Sequence, residues 1–182
     1  MLTSSRIILR PLRESDINII YLAWLNDPKV NSCLETRFVP QSLDSIRSYW
    51  HDHRDDVNSP WFAMQVADNG LHIGNIKLGP INWLHRRADI SLFIGNRDFW
   101  GKGYAAEAIS LISQWAFQEL DLKKLTAGIY SANMASRRSF EKAGYELEAT
   151  LKEEFFCRGK HIDAWRMCLL RENWNPPASL NS

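Results

Sequence analysis

Two apolar periods run through this chain and change places several times. Residues 6 to 10, RIILR, carry the short apolar run of a strand. After them Ile17, Ile20, Tyr21, Trp24 and Leu25 recur at helical spacing, with Ser15 or Asp16 as the predicted cap and Asp27-Pro28 as the stop. A second helix is predicted over SLDSIRSYWHDHRDD, begun by Ser42. Residues 61 to 67 and 71 to 78 read as strands around Asn69-Gly70, the strongest short hairpin signal. Residues 88 to 95, ADISLFIG, alternate Ile90, Leu92 and Ile94 and extend the hairpin to an antiparallel meander.

The helical period then returns. Ala105, Ala108, Ile109, Ile112, Trp115 and Ala116 mark one face of a helix reaching about Leu120. KKLTAGIY, residues 123 to 130, is a strand. A strand, a helix and a strand in that order predict a right-handed crossover and a parallel pair. NMASRRSFEKAG is a short helix with Asn133 as cap and Gly144 as its closing glycine. Two last strands meet at Arg158-Gly159-Lys160. One domain is predicted over residues 1–174, followed by a polar, proline-bearing tail over 175–182.

Composition narrows the class without naming it. The 182 residues include 45% hydrophobic and 24% charged, an ordinary globular balance. A formal net charge of +1 gives no general field for nucleic acid or anionic lipid. Cys33, Cys157 and Cys168 show no CxxC spacing, which argues against a disulfide framework or structural zinc. His51 and His53 lack the further ligands of a metal site, so no metal is expected. No apolar stretch approaches a signal peptide or a membrane span, and a cytoplasmic location is expected.

The chemistry is concentrated in RDFWGKGYAAEAI, residues 97 to 109. Glycines just before a helix let an anion approach unpaired backbone N–H groups, and Lys102 adds charge. A Walker loop fails because Gly103, not Ser or Thr, follows Lys102. A dinucleotide fingerprint fails twice. Ala106 stands in its third glycine slot, and antiparallel strands precede it. A coenzyme A pyrophosphate loop and a plain glycine turn remain open on the loop alone.

The second motif, SANMASRRSFEKAGYE at 131 to 146, follows the crossover strand. GKGYAAEA paired with N..S....EKAGY resembles the GNAT superfamily of acetyl-CoA-dependent acetyltransferases. The opening IILRPLRESD and the segment WLNDPKV resemble its branch of ribosomal-protein and protein N-terminal alanine acetyltransferases. The resemblance implies an α/β fold with a mixed, mostly antiparallel sheet that splays in the middle and is flanked by helices. Acetyl-CoA would lie in the splay as co-substrate. Gly101, Lys102, Gly103, Tyr104 and Ala105 would cradle its pyrophosphate. Leu92, Phe93 and Ile94 would pair with the pantetheine arm, and Asn133 would bond it near the thioester. Homodimers are common among such enzymes.

The chain departs from the family pattern in two places. Trp100 fills the slot that usually holds Gln or Arg, with Arg97 three residues earlier. Phe140 stands where much of the superfamily has a proton-bearing Tyr. In the resembled branch a Ser three residues after the Asn does that job, and Ser136 matches it. Transfer to an amine also needs an oxyanion donor, expected at an N–H near Ile94, and a base. Glu154 is the expected base on the penultimate strand, although alignment through the preceding LK puts the family's Glu at Phe155. Glu35 is a second candidate. The resemblance implies direct acetyl transfer to a primary amine, a protein N-terminus first. The alternatives are a nucleotide-linked amino sugar and a non-catalytic acetyl-CoA-binding module. Polyamines stand lower in this ordering, because such cations favour an acidic cleft and the charges here are mixed.

Overall fold

The computed structural model describes residues 1–175; all but the first residue of the predicted tail lie outside the described residues. Eight strands form one sheet: β1 Leu2–Thr3, β2 Ile7–Pro11, β3 Trp61–Val66, β4 His72–Leu78, β5 Arg87–Ile94, β6 Lys124–Tyr130, β7 Glu146–Cys157 and β8 Lys160–Leu170. Their order is β1-β2-β3-β4-β5-β6-β8-β7. All neighbours are antiparallel except β5 and β6, the parallel pair that the crossover predicts. Five helices complete it: α1 Ile19–Asn26, α2 Pro28–Asn31, α3 Leu43–His53, α4 Tyr104–Gln118 and α5 Met134–Lys142.

Most predicted signals act where they stand. The Ser42 side chain accepts from the Ser45 N–H and opens α3, and Gly70 takes the positive φ of 69° in the β3–β4 turn. One signal moves. Asn18 caps α1, accepting from the N–H groups of Ile20 and Tyr21, whereas Ser15 or Asp16 was expected. The Asp16 carboxylate is engaged elsewhere, by buried Arg10 at 2.7 and 2.6 Å and by the Arg13 N–H at 2.8 Å. Burial works against its ionisation, but those bonds prevail and hold its pKa below the usual carboxylate value.

The sheet has a core on each face. Ile73, Ile76 and Ile90 pack with Ile109, Ile112 and Phe117 of α4 on one side. Tyr21, Trp24, Leu25, Ile46 and Trp50 of α1 and α3 cover the other, against Ala63. Trp50 is buried with its indole N–H donating to the Leu12 carbonyl at 3.1 Å, which avoids the cost of an unpaired donor. At the end of β5 the α1 layer touches backbone. A Cβ on Gly95 would lie 2.1 Å from the Trp24 ring, so only glycine fits beneath that indole.

Candidate active site

β5 and β6 pair only over Arg87–Asp89 and Lys124–Thr126, then separate. The gap is the splay. On its other side β5 is fully engaged with β4: the Asp89 carbonyl accepts from the Gly79 N–H at 2.7 Å, and the Gly95 N–H donates to Ile73 at 2.9 Å. Backbone groups alternate along a strand, so the amides and carbonyls of Leu92 and Ile94 face the gap. Trp100 closes part of that edge. Its indole N–H donates to the Ile94 carbonyl at 2.8 Å and leaves the Ile94 N–H facing the gap. Trp100, anomalous against the family pattern, therefore braces the end of β5. Arg97 turns elsewhere, to Asp27 at 3.3 Å.

The glycine loop sits at the mouth of the splay. Gly101 and Gly103 have φ of +72° and +86°, a region that side chains rarely occupy. A Cβ on Gly101 would meet nothing within 4 Å, so the backbone there is open to approach. Gly103 is the N-cap of α4 and brings no side chain to satisfy the first N–H groups. These features fit a phosphate-bearing coenzyme. Gly103→Val is expected to weaken acetyl-CoA binding about tenfold or more, since it strains the positive φ and covers the donors. Calorimetric titration of the folded variant reads this directly, and an unchanged affinity would make the loop a turn.

Across the gap, Asn133 accepts from the Ser136 N–H at 3.1 Å through its side-chain oxygen. That cap uses the oxygen and leaves the amide NH2 to point at a ligand. Ser136, in the first turn of α5, is half-buried. Phe140 is 2% exposed and packs edge-on against Tyr145 at 5.1 Å in the core.

The opposite face of the splay carries the remaining chemistry. Leu125, Ala127 and Ile129 point into the α4 core, so Thr126, Gly128 and Tyr130 face the other way. A Cβ on Gly128 would meet nothing within 4 Å, leaving open space above this floor. Asp89 stands at the fork itself, accepts from the Thr126 hydroxyl and lies 3.5 Å from Arg166. Asp89 is not among the residues that the sequence motifs single out. Its signal was a lone acid inside the apolar alternation of a strand.

Glu35 reaches this face; its carboxylate accepts from the Tyr130 hydroxyl. Arg37 binds the same hydroxyl at 2.9 Å and the Phe156 carbonyl at 2.7 Å, pinning the Glu35–Phe38 turn to β7. Phe155 stacks on Tyr130 at 3.9 Å and 8°. Burial first, and then the Glu35 carboxylate, push the Tyr130 pKa up to about 12, so the phenol keeps its proton. Glu154 lies apart from this group. Three residues of β7, Lys152 to Glu154, oppose Asp163 alone, and Glu153 takes a φ of 51°. Asp163 holds that bulge through Lys152 at 3.0 Å and the Glu153 N–H at 3.1 Å. Phe155 turns to Tyr130, while Glu154, beside it in the bulge, is exposed. Among the described residues no three His, Cys, Asp or Glu side chains gather as a metal site, and no helix is long and apolar enough to cross a membrane.

Comparison with known proteins agrees with this geometry. Residues 6–146 match the Acetyltransferase (GNAT) domain family. The spermidine N(1)-acetyltransferase of Vibrio cholerae is 28% identical over 171 residues, 94% of this chain and 96% of that one. That of Escherichia coli K12 is 26% identical over 166 residues, covering 91% and 87%. A crystal structure of the Vibrio cholerae spermidine N-acetyltransferase with CoA and spermine superposes with a TM-score of 0.83. It is 27% identical and covers 93% and 98% of the two chains. These relatives are named for spermidine, a small amine, so they do not single out the ribosomal-protein branch. With the splayed sheet, the glycine loop and the match over 6–146, the chain belongs to the GNAT acetyltransferase family and is an acetyl-CoA-dependent N-acetyltransferase.

Proposed function

We propose that the chain moves an acetyl group directly from acetyl-CoA to the primary amine of a small molecule, with both substrates held in one ternary complex. The coenzyme enters along the Leu92–Ile94 edge, its pyrophosphate at Gly101 to Ala105 and its arm beside Asn133. The acceptor enters over the floor of Thr126, Gly128 and Tyr130. Juxtaposition supplies much of the rate. The Ile94 N–H steadies the oxyanion and Ser136 returns a proton to the thiolate. Asp89, at the fork and on the acceptor face, receives the ammonium proton directly or through water. Glu154, exposed in the β7 bulge, takes no part in this reading.

One observation favours an amino sugar over a polyamine. Two acids on the acceptor face have guanidinium partners: Asp89 has Arg166 at 3.5 Å and Glu35 has Arg37 at 4.0 Å. A polycation gains most from uncompensated acids, whereas half-buried Phe155, stacked on Tyr130, places an apolar ring beside this floor for a sugar. The polyamine reading is supported by the spermidine relatives and by the 71% exposure of the Glu35 side chain. CoA release would be followed with a nucleotide-linked amino hexose, spermidine and an alanine-initiated peptide. The sugar is expected to show a kcat/KM at least about tenfold above the other two. Spermidine as best substrate would overturn the sugar assignment. The peptide as best substrate would overturn the small-molecule reading altogether.

A further inference from the structure

The first turn of α4 contains an acid where the coenzyme reading needs a positive field. Glu107 lies one turn from Gly103, and its N–H makes the helix's first bond, to the Gly103 carbonyl at 3.1 Å. Left alone, that carboxylate would oppose any anion bound to the N–H groups ahead of it. It is not left alone. Arg6, at the entry to β2, donates from Nε to Glu107 Oε2 at 2.7 Å, with Nη2 at 2.6 Å from the same oxygen. The Arg6 N–H and the Ser4 hydroxyl bond Oε1 at 3.1 and 2.7 Å. The Glu107 side chain is 18% exposed.

Arg6 also touches the loop. Its Nη1 donates to the Lys102 carbonyl at 3.1 Å, and its guanidinium lies 4.8 Å over the Tyr104 ring. Its Nη2 is 3.4 Å from where a Cβ on Gly103 would stand. One side chain from the chain's beginning thus cancels the acid in the helix and turns the central carbonyl of the glycine loop toward itself. That carbonyl is the loop's own partial negative charge, and it is thereby kept from a bound phosphate.

We propose that Arg6 is a positioning residue for the coenzyme: by neutralising Glu107 and holding the Lys102 carbonyl, it makes the glycine loop accept a pyrophosphate. The proposal rests on the reading that this loop holds acetyl-CoA. Its distinctive consequence is a rescue. If Arg6 serves to silence Glu107, removing both charges should repair most of the damage done by removing Arg6 alone.

The test is calorimetric titration with acetyl-CoA, independent of turnover, after thermal melting has shown each variant to be folded. Arg6→Ala is expected to weaken binding about tenfold and Arg6→Lys less than about threefold. Glu107→Gln should bind at least as tightly as the unaltered chain. Arg6→Ala with Glu107→Gln should return to within about threefold of it. A double variant as weak as Arg6→Ala, or an Arg6→Lys as weak as Arg6→Ala, overturns the proposal. Should Arg6→Ala not fold, Arg6→Gln with and without Glu107→Gln carries the same comparison. Gly103→Val separates the two layers. If it alone loses binding while every Arg6 and Glu107 variant binds normally, the loop reading stands and the role of Arg6 falls. If it binds normally, the loop reading falls first.

Discussion

Gly95→Ala is expected to lower the melting temperature by roughly 6–12 °C and to cut turnover with it. The added Cβ would stand 2.1 to 2.4 Å from three atoms of the Trp24 ring. That ring is 9% exposed and is held edge-on by His72 at 5.1 Å and tilted by Tyr21 at 6.1 Å. It has no free direction in which to yield. Overpacking a filled core costs about 1–3 kcal/mol, and so short a contact belongs at the upper end. For a chain of this size each kcal/mol moves the midpoint by about 2–4 °C. Turnover suffers because Gly95 follows Ile94, whose N–H faces the reacting carbonyl in the proposed mechanism. Thermal melting and CoA-release assays check both effects. Trp24→Leu added to Gly95→Ala should recover part of the stability, because it removes the ring that the methyl strikes. A melting temperature unmoved by Gly95→Ala would show that α1 does not bear on β5 as described.

Ser136→Ala is expected to reduce kcat about a hundredfold, in the range for a lost general acid, with acetyl-CoA affinity unchanged. Three groups compete for this role. Phe140 has no proton to give and is sealed in the core. Tyr130 has one, but Glu35 and Arg37 both bind its hydroxyl. Ser136 makes no side-chain hydrogen bond among the described residues and stands one turn after Asn133. The two measurements must be read together. A lower kcat at constant affinity places the serine in the transition state, and weaker binding alone places it on the coenzyme. Full turnover in Ser136→Ala with loss in Tyr130→Phe would transfer the acid's role to the tyrosine.

The parts of this fold that were legible in the sequence depend on short-range chemistry. Asn69-Gly70 sets its turn by its own backbone preferences, and Asn133 and Gly144 bound α5 in the same local way. The parts that were not legible depend on partners brought from afar. Asp16 looks like a cap until Arg10 is folded against it, and the cap then passes to Asn18. The bulge at Lys152 to Glu154 is invisible to strand alternation, because Asp163 on the neighbouring strand induces it. A one-residue ambiguity between Glu154 and Phe155 followed, and of the two it is Phe155 that stacks on Tyr130. Asp89 is illegible in the sequence for a related reason. Its meaning comes from standing where two strands part, and that point is a property of the sheet.

The strand order has a consequence for the chain as it is made. Among the described residues β8 is the last strand, lies between β6 and β7, and is the only strand that β7 pairs with. The segments proposed to hold the coenzyme, from β5 to the start of α5, leave the ribosome first and have their own sheet partners in β4 and β6. The β7 wall proposed to face the acceptor has none until β8, Lys160–Leu170, emerges and threads into place between two strands already waiting. β7 is therefore made before its partner, and a chain stopped short of β8 would present an unpaired twelve-residue edge to its neighbours.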